Sequence, residues 1–150
     1  MSVAVDAAGR DFGQIAIGEE LPGHSVTITL QRLVMEAGAN RDFAMIHTDP
    51  EAAAKTGAPT AYANTIFLET LIEAALRGWA GPRAWIAEIG FTMRSFNCVG
   101  QTAAAGGTVT AVRPEERVAE LDIWIEADGK RTLEGTAKVE FPESKESTDG

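Results

Sequence analysis

The chain has 150 residues, 22 acidic against 13 basic side chains and a formal net charge of −9, which fits one acidic domain. That balance disfavours DNA or RNA as a partner, because their binding rests on neutralising phosphates. One cysteine, Cys98, excludes an internal disulfide and a cysteine-type zinc cluster. No apolar run approaches the ~20 residues a membrane-spanning helix needs. Residues 1–11 have neither the basic start nor the apolar core of a signal peptide, so a cytoplasmic protein is expected.

Residues 1–11 are small and mixed and read as a flexible N-terminus, with the domain over 12–141. Phe12 to Pro22, punctuated by Gly13 and Gly18 and with Ile15 and Ile17 alternating, reads as a lead-in packed on the domain edge. Residues 24–30 alternate as a strand, with Val26, Ile28 and Leu30 on one face and Ser25, Thr27 and Thr29 on the other. His24 at its start reads as a surface or turn residue. A short helix follows from Thr29 or Gln31 to about Ala39, anchored by Leu33 and Val34 and ended by Gly38. Residues 41–49 are too irregular for one helix. Asp49 caps a second short helix and Pro50 takes its first position. After a loop at Gly57–Thr60, a long helix is expected over 64–77. Ile66, Phe67, Leu68, Leu71, Ile72, Ala75 and Leu76 form its broad apolar stripe. Glu69, Glu73 and Arg77 repeat on the opposite face.

Gly78 and Gly81-Pro82 are expected to end that helix, and everything after it reads as strand. Trp85, Ala87, Ile89 and Phe91 alternate with Ile86, Glu88 and Gly90. Thr102–Val112 is small and β-prone, with Gly106-Gly107 suggesting a bend or bulge. Pro114–Glu116 is a turn. In 118–126, Ala119, Leu121, Ile123 and Ile125 point inward. Asp128-Gly129 is a strong hairpin turn, and Ala137, Val139 and Phe141 point inward in the last strand. Residues 142–150 are polar and expected to be disordered. The order is strand, helices, then about four antiparallel strands, which makes an α+β domain. Length and order suit a hot-dog fold, a curved antiparallel sheet wrapped around a long central helix. Its open edges favour pairing into a dimer.

Asp42 and His47 are the acid and imidazole that lie close in sequence. An imidazole near its neutral range takes or gives a proton, and a neighbouring carboxylate orients it or shares a water. Such a pair suits delivery of water across an activated double bond. The Asn64-Thr65 region lies at a helix start, where a free backbone N–H can stabilise a carbonyl oxygen gaining charge. Tyr62 lines a pocket or closes the core. The plainer readings are that Asp42 caps a turn and His47 is a satisfied core residue. Asp49 reads as a cap, Cys98 as a small buried residue, and Arg83 and Arg94 as solvated charges. Gly-rich nucleotide loops, metal-spaced histidines and serine elbows are missing from the sequence.

The stretch Arg41-Asp42-Phe43-Ala44-Met45-Ile46-His47-Thr48-Asp49 resembles the catalytic segment of MaoC-like (R)-specific enoyl-CoA hydratases. In that pattern Asp42 and His47 fall on the catalytic Asp and His, and Ile46 on the aliphatic position. Ala63-Asn64-Thr65 falls where the family has a His-Gly pair, so Thr65 inherits a backbone role toward the thioester oxygen. Ile17-Gly18-Glu19-Glu20 and Phe91–Thr102 resemble the family's opening and its later strand and loop. The likeness spans about 12–141. The family's Asn-Pro is Ala44-Met45 here, and its His-Gly is Asn64-Thr65. With Arg-Asp-Phe and Trp79-Ala80-Gly81-Pro82, these departures resemble small subunits of steroid side-chain enoyl-CoA hydratases, which pair with a second MaoC-like chain.

The resemblance implies a hydratase of lipid metabolism that converts a trans-2-enoyl-CoA into a 3-hydroxyacyl-CoA. Asp42 and His47 would be catalytic, with their labour divided either way. Asn64, Thr65 and Tyr62 would bind substrate. It implies no metal or cofactor, a substrate that is an acyl-CoA thioester whose acyl group can be bulky or steroid, and a homodimer or a hetero-oligomer. Rival readings are an acyl-CoA thioesterase on the same fold and a non-catalytic acyl-CoA-binding partner subunit.

Overall fold

The computed structural model describes residues 9–143. Most of the N-terminal stretch 1–11 and of the tail 142–150 lies outside the described residues. Five strands form one antiparallel sheet: β1 (His24–Thr27), β2 (Trp85–Met93), β3 (Thr102–Arg113), β4 (Val118–Ala127) and β5 (Lys130–Glu140), in the order β1-β3-β4-β5-β2. Among the described residues three α-helices accompany it: α1 (Leu30–Asn40), α2 (Pro50–Ala54) and α3 (Thr65–Ala80). This is the α+β hot-dog fold, a curled half-barrel around α3. Among the described residues, no helix is long and apolar enough to cross a membrane.

Helix α3 forms where the sequence places its apolar stripe. Leu68, Leu71, Ile72, Ala75 and Leu76 are buried, and the stripe continues through Trp79 and Ala80. Removing a side chain such as Leu68 or Leu76 down to alanine costs about 2–5 kcal/mol in a packed core. Ile66, expected inside, is 46% exposed, because it sits on the first turn, ahead of the sheet's cover. Gly78 does not end the helix. The chain continues to Ala80 and stops at Gly81, whose φ of 88° breaks the helical path. Packing of Trp79 and Ala80 outweighs the helix-weakening effect of one glycine, about 1 kcal/mol.

The facing sheet supplies Ala103, Ala105, Val109, Leu121, Ile123, Ile125, Leu133, Ala137 and Val139, and the inward set expected for β4 holds. Asp128 and Gly129 both have positive φ, 51° and 73°, as a primed two-residue hairpin requires. Two sequence expectations fail at bulges. One interrupts β2 between Ile86 and Glu88, so Ile86, Ile89 and Phe91 pack on the core while Trp85 is 66% exposed. The other interrupts β3 between Val109 and Ala111, and not at Gly106-Gly107. Those glycines serve close packing instead: a Cβ on Gly106 would lie 2.9 Å from the Trp124 ring nitrogen, and one on Gly107 2.8 Å from the Asp122 carbonyl.

The first strand is shorter than expected. Thr29 leaves it to cap α1, its hydroxyl accepting from the Arg32 N–H, so Leu30 begins a helix. Ile28 is fully buried between them. Helix α1 is anchored by Leu33 and Ala37; Val34 points outward at 47% exposure. It passes Gly38 and closes at Arg41, which takes the left-handed conformation. The Asp42 N–H then reaches back to the Ala37 carbonyl at 2.9 Å, a Schellman closure. The lead-in packs as expected, with Phe12, Ile15 and Leu21 buried and Gly18–Leu21 bonded to Gly107 and Val109 of β3.

Candidate active site

The segment between α1 and α3 is a series of short turns that aims side chains at the start of α3. The closure at Arg41 turns the chain so that Asp42 leaves α1 against the helix it has just completed. A 3-10 turn at Met45–His47 follows, and the buried His47 ends it. Asp49 then accepts from the Glu51 and Ala52 N–H groups and Pro50 opens α2, as the sequence predicts. The chain runs on to Ala61–Ala63, which pairs with Asn97–Val99 through Ala63 N–H to Asn97 O and Val99 N–H to Ala61 O, each at 2.9 Å. Asn64 is the N-cap of α3, its Oδ1 accepting from the Phe67 N–H at 2.9 Å.

Asp42 and His47 are brought together. Asp42 Oδ2 and His47 Nε2 are 3.5 Å apart, with the imidazole nine-tenths buried and the carboxylate half-buried. The Asn64 amide donates to Asp42 Oδ2 at 2.8 Å, and the Ala44 N–H donates to Oδ1 at 3.2 Å. The Asn64 bond holds the Asp42 carboxyl below its ordinary range, helped by the Ala44 bond and the nearby imidazole against a smaller effect of burial. Asp42 is therefore an ionised acceptor at neutral pH. His47 Nδ1 lies 2.7 Å from the Tyr62 carbonyl oxygen. A carbonyl only accepts, so Nδ1 carries a hydrogen, and in the neutral ring Nε2 presents its lone pair toward Asp42.

Tyr62 thus holds His47 by its backbone, and its ring packs edge-on against the imidazole at 5.4 Å and against Phe96 at 4.6 Å. Thr65, the first helical residue, has an exposed side chain and an N–H with no acceptor within the helix. Because Asn64 both caps α3 and bonds Asp42, this N–H lies at the helix start that adjoins the acid–imidazole pair. Cys98 is buried opposite Tyr62, and burial pushes its thiol up, the reverse of a reactive thiolate. Arg94 lies outward near Glu134, and His24 is exposed at the start of β1.

Sequence reasoning named Asn64 as a substrate-binding residue but not as the one that holds Asp42, and it did not name Glu36. The Asn64 side chain bridges to Asp42 across 22 positions, whereas the sequence pointed only to the backbone there. Glu36 of α1 lies near this cluster: the Asn40 amide donates to it, and burial raises its carboxyl above the ordinary range, with the Asp42 charge acting in the same direction. Its place six residues before Asp42 carries no chemical signal. The only hint is the i, i+4 spacing of Glu36 and Asn40.

No protein-family model matches the sequence, and no curated protein matches it. Solved structures do. The ChsH1-ChsH2 complex from Mycobacterium tuberculosis contains a chain superposing with a TM-score of 0.80 at 23% identity, over 86% of this chain and 100% of that one. An (R)-hydratase from A. caviae involved in PHA biosynthesis gives a TM-score of 0.80 at 23% identity, over 86% and 98%. A MaoC-like dehydratase from Rhodospirillum rubrum gives 0.72 at 19%, over 88% and 97%. The chain has the fold of the MaoC-like dehydratases and (R)-hydratases. The fold resemblance thus agrees with the family to which residues 41–49 pointed.

Proposed function

We propose that the protein hydrates a trans-2-enoyl-CoA to a 3-hydroxyacyl-CoA, with Asp42 and His47 as the acid–base pair. The observation that carries this reading is the convergence of Asp42 Oδ2 and His47 Nε2 at 3.5 Å, tied by the Asn64 amide to the start of α3. A water about 3 Å from both atoms completes the triangle that proton transfer needs. The thioester carbonyl is held at the Thr65 N–H, where the enolate charge develops. As the water oxygen bonds to C3, His47 Nε2 takes one of its protons, and the C2–C3 π electrons move onto the carbonyl oxygen. Ionised Asp42 accepts the other O–H as a hydrogen bond and stabilises the imidazolium. The enolate then collapses, and Nε2 returns its proton to C2. Dehydration is the same path reversed. Tyr62 contributes by fixing the imidazole through its carbonyl, and Asn64 by fixing Asp42.

The acyl group is bulky, including steroid-like, on the strength of the Ala44-Met45 and Asn64-Thr65 departures from the family pattern. The protein works as a dimer or beside a second chain of the same fold. Two features support this: a sheet with open edges at β1 and β2, and likeness to a chain from a two-component complex. The test is loss of the conjugated-thioester absorbance with short and ring-bearing enoyl-CoAs, for the unmutated protein and for Asp42→Ala and His47→Ala, alone and with a co-encoded chain of this fold. That likeness also supports a second reading, a binding subunit for chemistry done by a partner. Turnover that survives both substitutions and is lost only when the partner's pair is removed would establish it.

A further inference from the structure

A cavity of about 260 Å³ lies between β1, α1 and α3, lined by His24, Val26, Glu36, Phe67, Leu71 and Ala74, with Thr70 beside them. Its wall is mostly apolar, and Glu36 is the acid in it. The cavity adjoins the acid–imidazole pair at the first turn of α3: Phe67 of its wall donates its N–H to Asn64 Oδ1, and the Asn64 amide holds Asp42. The cavity and the pair therefore meet at the start of α3. A second cavity, lined by Arg113, Glu120, Lys138 and Glu140, is a different case. Its two cations already pair, Arg113 with Glu120 at 2.9 Å and Lys138 with Glu88 at 3.4 Å.

Glu36 has no such cation among the described residues; its hydrogen-bond partner is the Asn40 amide. A carboxylate accepts at about four positions, so acceptor capacity remains at the cavity wall. A plain alkyl chain laid against it would strip its water and return no bond, which is unfavourable. A chain carrying a hydroxyl at that point would replace the lost water with a charge-assisted hydrogen bond. Apart from His24 and Thr70, the rest of the wall is valine, phenylalanine, leucine and alanine, which offer Glu36 no hydrogen-bond donor from their side chains.

We propose that this cavity takes an acyl chain bearing a hydroxyl on a carbon beyond the reacting pair, with Glu36 accepting its hydrogen bond and acting as a specificity-determining residue. The inference rests on the hydration reading above, and its test is separable from it. Saturated acyl-CoAs cannot be hydrated, so their binding reports the cavity alone. Calorimetry would compare a plain medium-length chain with chains of equal length whose hydroxyl is moved carbon by carbon from the fifth position outward. The unmutated protein, Glu36→Gln and Glu36→Leu would be tested, with melting curves to establish folding. At least one hydroxylated chain is expected to bind about tenfold more tightly than the plain one, the range of a hydrogen bond to a charged group at a partly exposed site. Glu36→Leu should reverse the order, and Glu36→Gln, which keeps a carbonyl acceptor and the size, should retain part of the preference. Tighter binding of the plain chain than of every hydroxylated one overturns the proposal, as does an unchanged order in both variants or absence of binding throughout. Turnover of crotonyl-CoA, measured alongside, reports on the hydration reading. A preserved hydroxyl preference without turnover leaves the cavity assignment standing and removes the hydration one.

Discussion

Replacing Thr65 by proline deletes one hydrogen-bond donor and little else. Thr65 is the first residue of α3, where the N–H has no acceptor within the helix. Proline is favoured at that position because the donor it lacks is unused there and its φ suits the helix. The residue before a proline must be extended, and Asn64 already is, at φ −82° and ψ 173°. The Thr65 side chain is exposed, so its loss leaves no cavity. Stability should therefore change by less than about 0.5 kcal/mol, the range of ordinary surface substitutions. In a domain of this size that shifts the melting temperature by only about 1–2 °C. Catalysis should fall far more. Removing one oxyanion donor typically costs about 10²–10³ in kcat. Thr65→Gly is the matched control: it keeps the N–H, so kcat should stay much closer to normal, with the change appearing in preference among acyl groups beside the carbonyl. The assay is decay of the conjugated-thioester absorbance, with thermal melts on the same preparations. A Thr65→Pro protein that melts normally and hydrates at full rate would refute the assignment of this N–H to the carbonyl oxygen.

Asp42→Ala and His47→Ala should each lower hydration by about 10²–10⁴, and the double variant should be little worse than either, because both groups hold one water; additive losses in kcat would show that they act separately. Asn64→Ser keeps a good helix cap but removes the amide that holds Asp42. The Asp42 carboxyl should rise toward its ordinary value. Asp42 is lowered in the folded state, so the stability it contributes is present above the unfolded value and lost as pH falls through the folded one. The stability gap between Asn64→Ser and the unmutated protein should accordingly narrow on acidification in denaturant titrations. Gly135→Ala should destabilise by about 2–3 kcal/mol or more, since its Cβ would lie 2.0 Å from the Gly90 carbonyl oxygen across the β2–β5 pairing; a normal melting curve would count against that register. Native mass measurement at micromolar protein should find a dimer or a mixed species, and a monomer would argue against assembly through the β1 and β2 edges.

The fold was legible where one periodicity ran long enough. The 3.6-residue stripe of α3, the alternation in β4 and the Asp128-Gly129 turn are each local signals whose local and tertiary preferences agree. The errors fall where those preferences compete. Glycine weakens a helix by about 1 kcal/mol, and burial of Ala37 beside Gly38, or of Trp79 and Ala80 after Gly78, exceeds that. A bulge inserts one residue and moves every later side chain to the other face. For this reason the alternation of 85–91 grouped Trp85 with Ile89 and Phe91, when Ile86 is the one packed with them.

The candidate site was legible in its composition and not in its wiring. Asp42 and His47 could be picked out as an acid and an imidazole five positions apart, and resemblance to a hydratase segment gave them a chemistry. What converts that spacing into a geometry is supplied from elsewhere in the chain. The left-handed turn at Arg41 sends Asp42 back across α1, and no sequence rule favours arginine there. The carbonyl that fixes the imidazole belongs to Tyr62, held by pairing with a loop some 35 residues away. Asn64 spends its oxygen on the helix and its nitrogen on the carboxylate, so a single residue sets both the register of α3 and the position of Asp42. A chain that shares only the Asp and His spacing, without an amide at the helix cap and a carbonyl facing Nδ1, would have the acid and the base with nothing to aim them. The asparagine that departs from the family pattern is therefore part of how this protein holds its pair.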